Sequence, residues 1–400
     1  MKAIKVSDHV YWVGAVDWSI RNFHGYLTSR GTSYNAYIVM ADKIALIDTV
    51  KAPYKEEMLS RIASIIDPGD IRYIISNHTE MDHTGCLPDV IEAVKPEKVF
   101  SSAMGVKTLS EHFHLDHKIV AVEYGETVSL GNMDLSFVET RMLHWPESMF
   151  TYLAEEGVLF SQDAFGMHLA SSERFADEID DDILEYEASK YFANILMPFS
   201  LFVSKLLERV GKLGISIGII APDHGPIWRK DVTRILELYS KWAKRKPTKK
   251  AVIAYDTMWQ STAKMARSIG EGLIDGGITV KVMPLDVCHR SDVATEMLDA
   301  GALLVGSPTL NNNMFPTVAD ALIYLKGLKP RDLIGTAFGS YGWSGEGIRQ
   351  VNDVLKEMKV ELIGEGISVK YVPDHDALSQ CHSLGSLVAK RLNEVCDNDR

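Results

Sequence analysis

Asn77-His78-Thr79-Glu80-Met81-Asp82-His83-Thr84-Gly85 gathers four side chains able to bind a metal, His78, Glu80, Asp82 and His83, within six positions. The stretch follows the largely apolar run Ile71–Ile75, which reads as a short buried strand. Residues two apart point the same way in extended backbone, so His78, Glu80 and Asp82 are expected on one side, with His83 added where the chain turns at Thr84-Gly85. One histidine beside a carboxylate is usually an ordinary surface or core residue. Four donors at the mouth of a strand indicate a metal site.

Working outward, the bulk properties set bounds. A chain of 400 residues has room for two domains, each with its own core. Its 46% apolar and 24% charged residues are those of a globular protein. A net charge of −12 argues against nucleic acid, which calls for basic patches, and leaves room for docking of a small protein. Met1-Lys2-Ala3-Ile4-Lys5-Val6 lacks the apolar core of a signal peptide, and no segment approaches the roughly 18 apolar residues of a membrane span. Cys86, Cys288, Cys381 and Cys396 are scattered, without a Cys-x-x-Cys pair, which disfavours a disulfide framework or a built-in iron–sulfur module. The expected compartment is a reducing cytoplasm.

Residues 1–246 read as one mixed α/β domain. Strand-like alternation at 9–14, 34–39 and 44–48 is followed by a helical pattern over Lys55–Ile66, stopped by Asp67-Pro68-Gly69. Three more candidate ligands each follow a strand-like run: His144 after 135–138, Asp163 after 158–162 and His224 after 217–223. Singly, Asp163 reads equally as a helix cap and the histidines as packed core residues. Their shared placement favours a site, because sites are built on loops held by a rigid sheet.

The loop His78-x-Glu80-x-Asp82-His83 with His144, Asp163 and His224 resembles the ligand pattern of the metallo-β-lactamase superfamily. Glu80, where the hydrolases of that superfamily carry histidine, resembles the flavodiiron proteins, and more carboxylate suits a harder, redox-active iron pair. The resemblance implies an αββα sandwich of two mixed sheets flanked by helices. It implies that His78, Glu80 and His144 bind one iron, Asp82 and His224 the other, and that Asp163 bridges them. His83 completes the seven metal positions, although in some family members its equivalent is turned away from the iron. The segment Asp17-Trp18-x-x-Arg21-x-Phe23-His24-Gly25 is similar to one that brings a histidine towards the diiron pocket. His144-Trp145-Pro146 and Tyr191-Phe192-Ala193-Asn194 are similar to segments near it. His24 and Tyr191 are accordingly the catalytic candidates, able to donate hydrogen bonds to a bound oxygen species.

The basic run 241–250 reads as a solvated linker, and residues 247–400 as a second domain in which strands and helices alternate. That alternation predicts a doubly wound parallel sheet, whose ligands bind at the carboxyl ends of the strands. Three loops fall there. In Asp256-Thr257-Met258-Trp259-Gln260-Ser261-Thr262, three hydroxyls and a helix N-terminus form a phosphate nest without glycine. The others are Gly306-Ser307-Pro308-Thr309-Leu310-Asn311-Asn312-Asn313 and Phe338-Gly339-Ser340-Tyr341-Gly342-Trp343-Ser344-Gly345-Glu346. The three in order resemble the flavodoxin pattern for FMN, which implies phosphate on Thr257, Ser261 and Thr262 and an isoalloxazine flanked by the other two loops.

The resemblance spans both domains and implies a terminal oxidoreductase that takes electrons through FMN and reduces O2 to water or NO to N2O at two non-haem irons. It implies an external donor, rubredoxin or a reduced deazaflavin, and a head-to-tail homodimer or a tetramer made of two such dimers. Ending at Asp399-Arg400, the chain is expected to carry no cysteine-bearing module of its own. Two rivals remain: a zinc hydrolase of the lactamase superfamily fused to a flavodoxin-like domain, and a flavin electron carrier with an inert N-terminal module.

Overall fold

Tyr37 and Ile38, neighbours in sequence, belong to different hydrophobic cores. The same alternation runs across the sheet: Ala45, Ile47, Tyr73 and Ile75 join the core of Tyr37, whereas Leu46 and Ile74 join that of Ile38. Period-two burial on both faces is what a strand covered from both sides requires. We describe residues 1–115 and 117–398 in a computed structural model; Asp116, Asp399 and Arg400 lie outside the described residues. The chain divides into two units, one of residues 1–24, 28–191 and 199–240, the other of residues 25–27, 192–198 and 241–400.

In the first unit the described residues form a seven-stranded sheet in the order Ile4–Lys5, Val10–Trp12, Tyr37–Val39, Ile44–Ile47, Ile71–Ser76, Lys98–Ser102 and Ile119–Val122. Its first pairs are antiparallel and its last three parallel. A second sheet runs Thr127–Ser129, Asp134–Glu139, Met149–Leu153, Val158–Gln162 and Ile219–Pro222. Phe137, Phe160 and Ala221 of that sheet share one core with Tyr37 and Ile75, which makes a sandwich. The opposite face of the larger sheet is covered by Met58 and Ile62 of the helix Lys55–Ile62 and by Leu87, Val90 and Val94 of the helix Leu87–Val94. This is the αββα arrangement of the metallo-β-lactamase type.

The second unit is a parallel sheet in the order Thr279–Pro284, Thr248–Tyr255, Ala300–Gly306 and Ile334–Tyr341, the last paired with both Glu361–Leu362 and Ile367–Lys370. That order is flavodoxin-like. One face is covered by the helices Ser261–Asp275 and His375–Asn398, whose Met265, Ile269, Val388 and Leu392 enter its core. Glycines allow the two helices to touch: a Cβ at Gly272 would collide with the His382 carbonyl oxygen, and one at Gly385 with that of Ile269.

The run 241–250 is not the solvated linker its charge suggested. The helix Val232–Lys244 continues into it, and the strand Thr248–Tyr255 begins within it. Trp242 and Ala243 are buried, and the buried Arg245 donates to the Met297 carbonyl at 3.0 Å. Lysines at the end of an amphipathic helix and at the start of a strand hide structure behind their charge.

Candidate diiron and flavin sites

His78 and Glu80 leave the strand Ile71–Ser76, Asp163 follows Val158–Gln162, and His224 follows Ile219–Pro222. His144 lies in the loop before Met149–Leu153. Asn77 ties this edge together. Its backbone and side-chain nitrogens donate to Asp48 at 2.7 and 2.8 Å, its side-chain oxygen accepts from Thr151 at 2.6 Å, and its carbonyl accepts from Met149 at 3.0 Å. One feature differs from the extended reading: Met81–Thr84 is a helical turn, so Asp82 and His83 reach the site from a helix rather than by strand alternation.

The seven side chains nevertheless converge, in two groups whose donor atoms each lie within 4.8 Å of one another: His78, Glu80, His144 and Asp163, and then Asp82, His83 and His224. Asp163 joins them. Its Oδ2 lies 2.9 Å from His144 Nε2 and 3.5 Å from His78 Nε2, whereas its Oδ1 lies 3.1 Å from His83 Nε2 and 3.5 Å from His224 Nε2. Glu80 Oε2 is 3.3 Å from His78 Nε2 and 3.2 Å from His144 Nε2, and Asp82 Oδ2 is 3.2 Å from His224 Nε2. Ligands about 2.1 Å from a shared ion sit roughly 3.0–3.4 Å apart, and these separations fall within that range or just outside it.

The orphaned atoms point to the same occupant. Both oxygens of Asp82, both ring nitrogens of His83 and Oδ1 of Asp163 are buried with no hydrogen-bond partner among the described residues. Such atoms cost about 1–3 kcal/mol each unless something satisfies them. Atoms this close and yet not aimed at one another are what donors turned towards common ions look like. Four imidazoles and three carboxylates suit iron.

The electrostatics record the same crowding. Burial alone would raise the Asp163 carboxyl, but His78, His144 and His83 outweigh it and hold it well below the usual range. Burial would lower His224, yet Asp82 and Asp163 carry it up to about 9. His78 is likewise raised against burial by Asp163, Glu147 and Glu80.

His24 places Nε2 3.0 Å from Glu80 Oε1, and that contact raises its pKa. Tyr191 is buried, its ring 6.2 Å from that of His224, and burial followed by the Asp163 charge raises its hydroxyl well above the usual value. His168 and Glu147 escaped the sequence reading. The His168 ring lies 4.7 Å from His224 and 5.1 Å from Tyr191, with Nδ1 2.9 Å from the Thr32 hydroxyl. Burial and then the neighbouring His224 charge push it well below its usual pKa. Glu147 faces His78 at 2.9 Å. Neither has local ligand spacing; both are found only through long-range packing.

In the second unit a cavity of about 570 Å³ opens at the carboxyl ends of the strands. Met258, Trp259, Ser261, Pro308, Thr309, Leu310, Asn311 and Asn312 line it, as do Ser340, Tyr341, Gly342, Trp343 and Ser344. Thr257, Gln260, Thr262 and Gly345 of the expected set are not among the lining residues, whereas Tyr371 and Val372 are. The last two follow the strand Ile367–Lys370 and were legible as another strand end. Thr262 is wholly buried, 3.5 Å from the Ser340 hydroxyl. The Thr257 amide is taken by Asp256 at 2.6 Å, but the Thr257 hydroxyl is buried without a partner among the described residues. The helix starting at Ser261 has no side-chain cap. An orphan hydroxyl and an uncapped helix N-terminus fit a phosphate. Asn311 and Asn312 both have positive φ, 50° and 62°, closing the hairpin of Thr309–Leu310 with Asn313–Met314. Trp259 and Trp343, 88% and 87% exposed, leave aromatic faces free for a flat ring.

Residues 32–225 match the model of the ODP family beta lactamase, and residues 253–385 that of flavodoxin. The nitric oxide reductase of Moorella thermoacetica is 48% identical, over 97% of this chain and 98% of that protein. The solved rubredoxin oxygen:oxidoreductase from Desulfovibrio gigas is 46% identical with a TM-score of 0.97, covering 98% of this chain and 99% of that one. The flavodiiron protein from Giardia intestinalis is 33% identical with a TM-score of 0.96, covering 100% of this chain and 98% of that one. Together with the two sites, these likenesses make the chain a flavodiiron protein, an oxidoreductase whose cofactors are FMN and a non-haem diiron centre.

Proposed function

We propose that this protein reduces O2 to water, NO to N2O, or both, with electrons drawn through FMN from an external donor of the rubredoxin kind. The observation that carries the reading is the division of the Asp163 carboxylate between two donor groups. A carboxylate so placed holds two metals close enough to act on one substrate. When bound, FMN supplies stepwise electron transfer and the iron pair supplies binding and reduction of a small oxidant. His78, Glu80 and His144 hold one iron; Asp82 and His224 hold the other, joined by His83, whose Nε2 is turned towards Asp163. His24, hydrogen-bonded to Glu80, carries a proton-bearing nitrogen at the pocket, and Tyr191 walls it beside His224. Thr257, Ser261 and Thr262 receive the phosphate, and Trp259 and Trp343 flank the flavin ring. The names of the Moorella and Desulfovibrio relatives support the two substrates and the donor.

The proposed domain limits are residues 1–246 and 247–400, within which the family matches at 32–225 and 253–385 fall. A cytoplasmic head-to-tail homodimer completes the proposal. Among the described residues no helix is long and apolar enough to cross a membrane. Metal and flavin analysis of protein expressed with iron, followed by O2 and NO consumption with reduced rubredoxin, tests the reading. Two irons per FMN and turnover of at least one gas are expected. Zinc in place of iron, or no turnover of either gas by the fully loaded protein, overturns it.

A further inference from the structure

His78 is wholly buried, and its Nδ1 lies 2.9 Å from Oε1 of Glu147. The same oxygen accepts from the Thr79 amide at 3.0 Å and the Thr79 hydroxyl at 2.9 Å. Thr79 separates the two ligands His78 and Glu80, so one carboxylate oxygen grips the whole ligand segment. Glu147 is itself buried, its Oε2 has no hydrogen-bond partner among the described residues, and its backbone carbonyl is anchored by the Ser102 hydroxyl at 2.6 Å. An ionised carboxylate only accepts, so His78 Nδ1 must carry a hydrogen, and Nε2 is the nitrogen left facing the Glu80–Asp163 pocket, the one that a metal would take.

The other metal group is supported differently. His224 Nδ1 donates to the Ser33 carbonyl at 2.6 Å, a neutral acceptor. His83 Nδ1 stands 3.6 Å from Asp223 Oδ2, beyond hydrogen-bond length. A buried anion behind an imidazole raises its basicity and fixes its orientation more strongly than a carbonyl does.

We propose that Glu147 is a positioning residue that locks His78 towards its metal and makes the pocket of His78, Glu80 and His144 the tighter of the two iron sites. The proposal rests on the metal-binding reading of those residues. Apo full-length protein is titrated with Co²⁺ against a competing chelator, the two sites being followed by stoichiometry and by the Co²⁺ absorption bands. Wild type should take up two ions with unequal affinity. Glu147→Gln keeps an acceptor of the same shape without the charge, and should weaken one ion by 10–100-fold while the other changes by less than about threefold. Glu147→Ala should weaken the same ion further, and Glu147→Asp should restore part of the loss. Unchanged binding of both ions by Glu147→Gln, or equal weakening of both, overturns the proposal; the isosteric variant carries the test if Glu147→Ala does not fold. Wild type that fails to bind two ions refutes the metal reading instead.

Discussion

Around Asp163 the donor side chains are almost all buried and several of their polar atoms have no hydrogen-bond partner among the described residues, whereas the flavin cavity of the second unit is open, with Trp259 and Trp343 in solvent. The metal donors sit on a sandwich edge bolted by Asn77, close enough to share ions yet poorly aimed at one another. The flavin loops bond largely within their own unit, the Thr257 hydroxyl apart: Asn312 donates to Ser344 and Glu346 at 3.3 and 3.1 Å, and Met314 donates to Gln350 at 2.8 Å. One site is electrostatically incomplete without its ions; the other is a trough that a flat ligand fills. Buried charge couples a cofactor to stability, and an open trough couples it mainly to affinity.

Replacing the bridge should give the largest effect. Asp163→Ala should lower O2 or NO turnover below about one-hundredth of wild type, since even groups behind a ligand cost 10–100-fold. FMN should stay bound at wild-type stoichiometry, because the flavin loops belong to the other unit. Turnover near wild type would remove Asp163 from the bridge; loss of FMN along with iron would break the separation of the two sites.

The elements that build both sites are largely legible in the sequence. Strands were readable from apolar runs such as Ile71–Ile75, and ligands from their positions just after such runs. The helical turn Met81–Thr84 was not, because four residues are too few to show a 3.6 period, and alternation then placed Asp82 by the wrong geometry. The strand ending at Tyr255 was readable from its apolar run, and only its start was hidden, where Lys249 and Lys250 mimic a linker. Ser261 and Thr262 open the helix Ser261–Asp275, and a hydroxyl in a loop and one inside the first turn of a helix look alike in sequence. Glu147 and His168 act through partners far along the chain, which no local pattern encodes.

Removing each cofactor separately probes the same contrast. A ligand at a thousandfold over its Kd stabilises by about 4 kcal/mol, which in a domain of this size is roughly 8–16 °C in Tm. Chelating the metal should lower the transition of the first unit by that order and raise amide exchange over residues 77–85. Stripping the flavin should lower the transition of the second unit by less than half as much and leave the strand Ile334–Tyr341 protected. Equal losses by calorimetry would erase the distinction. A single hydroxyl should give a smaller effect still. Thr257→Val removes the orphan Oγ1. A hydrogen bond to a charged group contributes about 1.5–3 kcal/mol, so FMN Kd should rise at least tenfold with metal content unchanged. Unaltered FMN affinity by fluorescence titration would take Thr257 out of the phosphate site.

The smallest expected effect lies among the charges of the flavin unit that are not part of its site. Lys250 Nζ is 2.8 Å from Glu296 and 2.6 Å from Asp299. Burial by itself would lower its pKa, but Asp299 and Glu296 outweigh it and raise the folded value above 10.5. A raised folded value means that the ion pair contributes in full below pH 10.5, the unfolded value, and fades as pH climbs through the folded one. With Asp299 partly in solvent, screening holds the gain to about 1 kcal/mol. Lys250→Met should therefore lower Tm by a few degrees at neutral pH. The gap to wild type should stay flat between neutrality and pH 10 and narrow above 10.5. A loss as large as that from metal removal would mean that buried charge governs the flavin unit as well, and the contrast between the two sites would then fail.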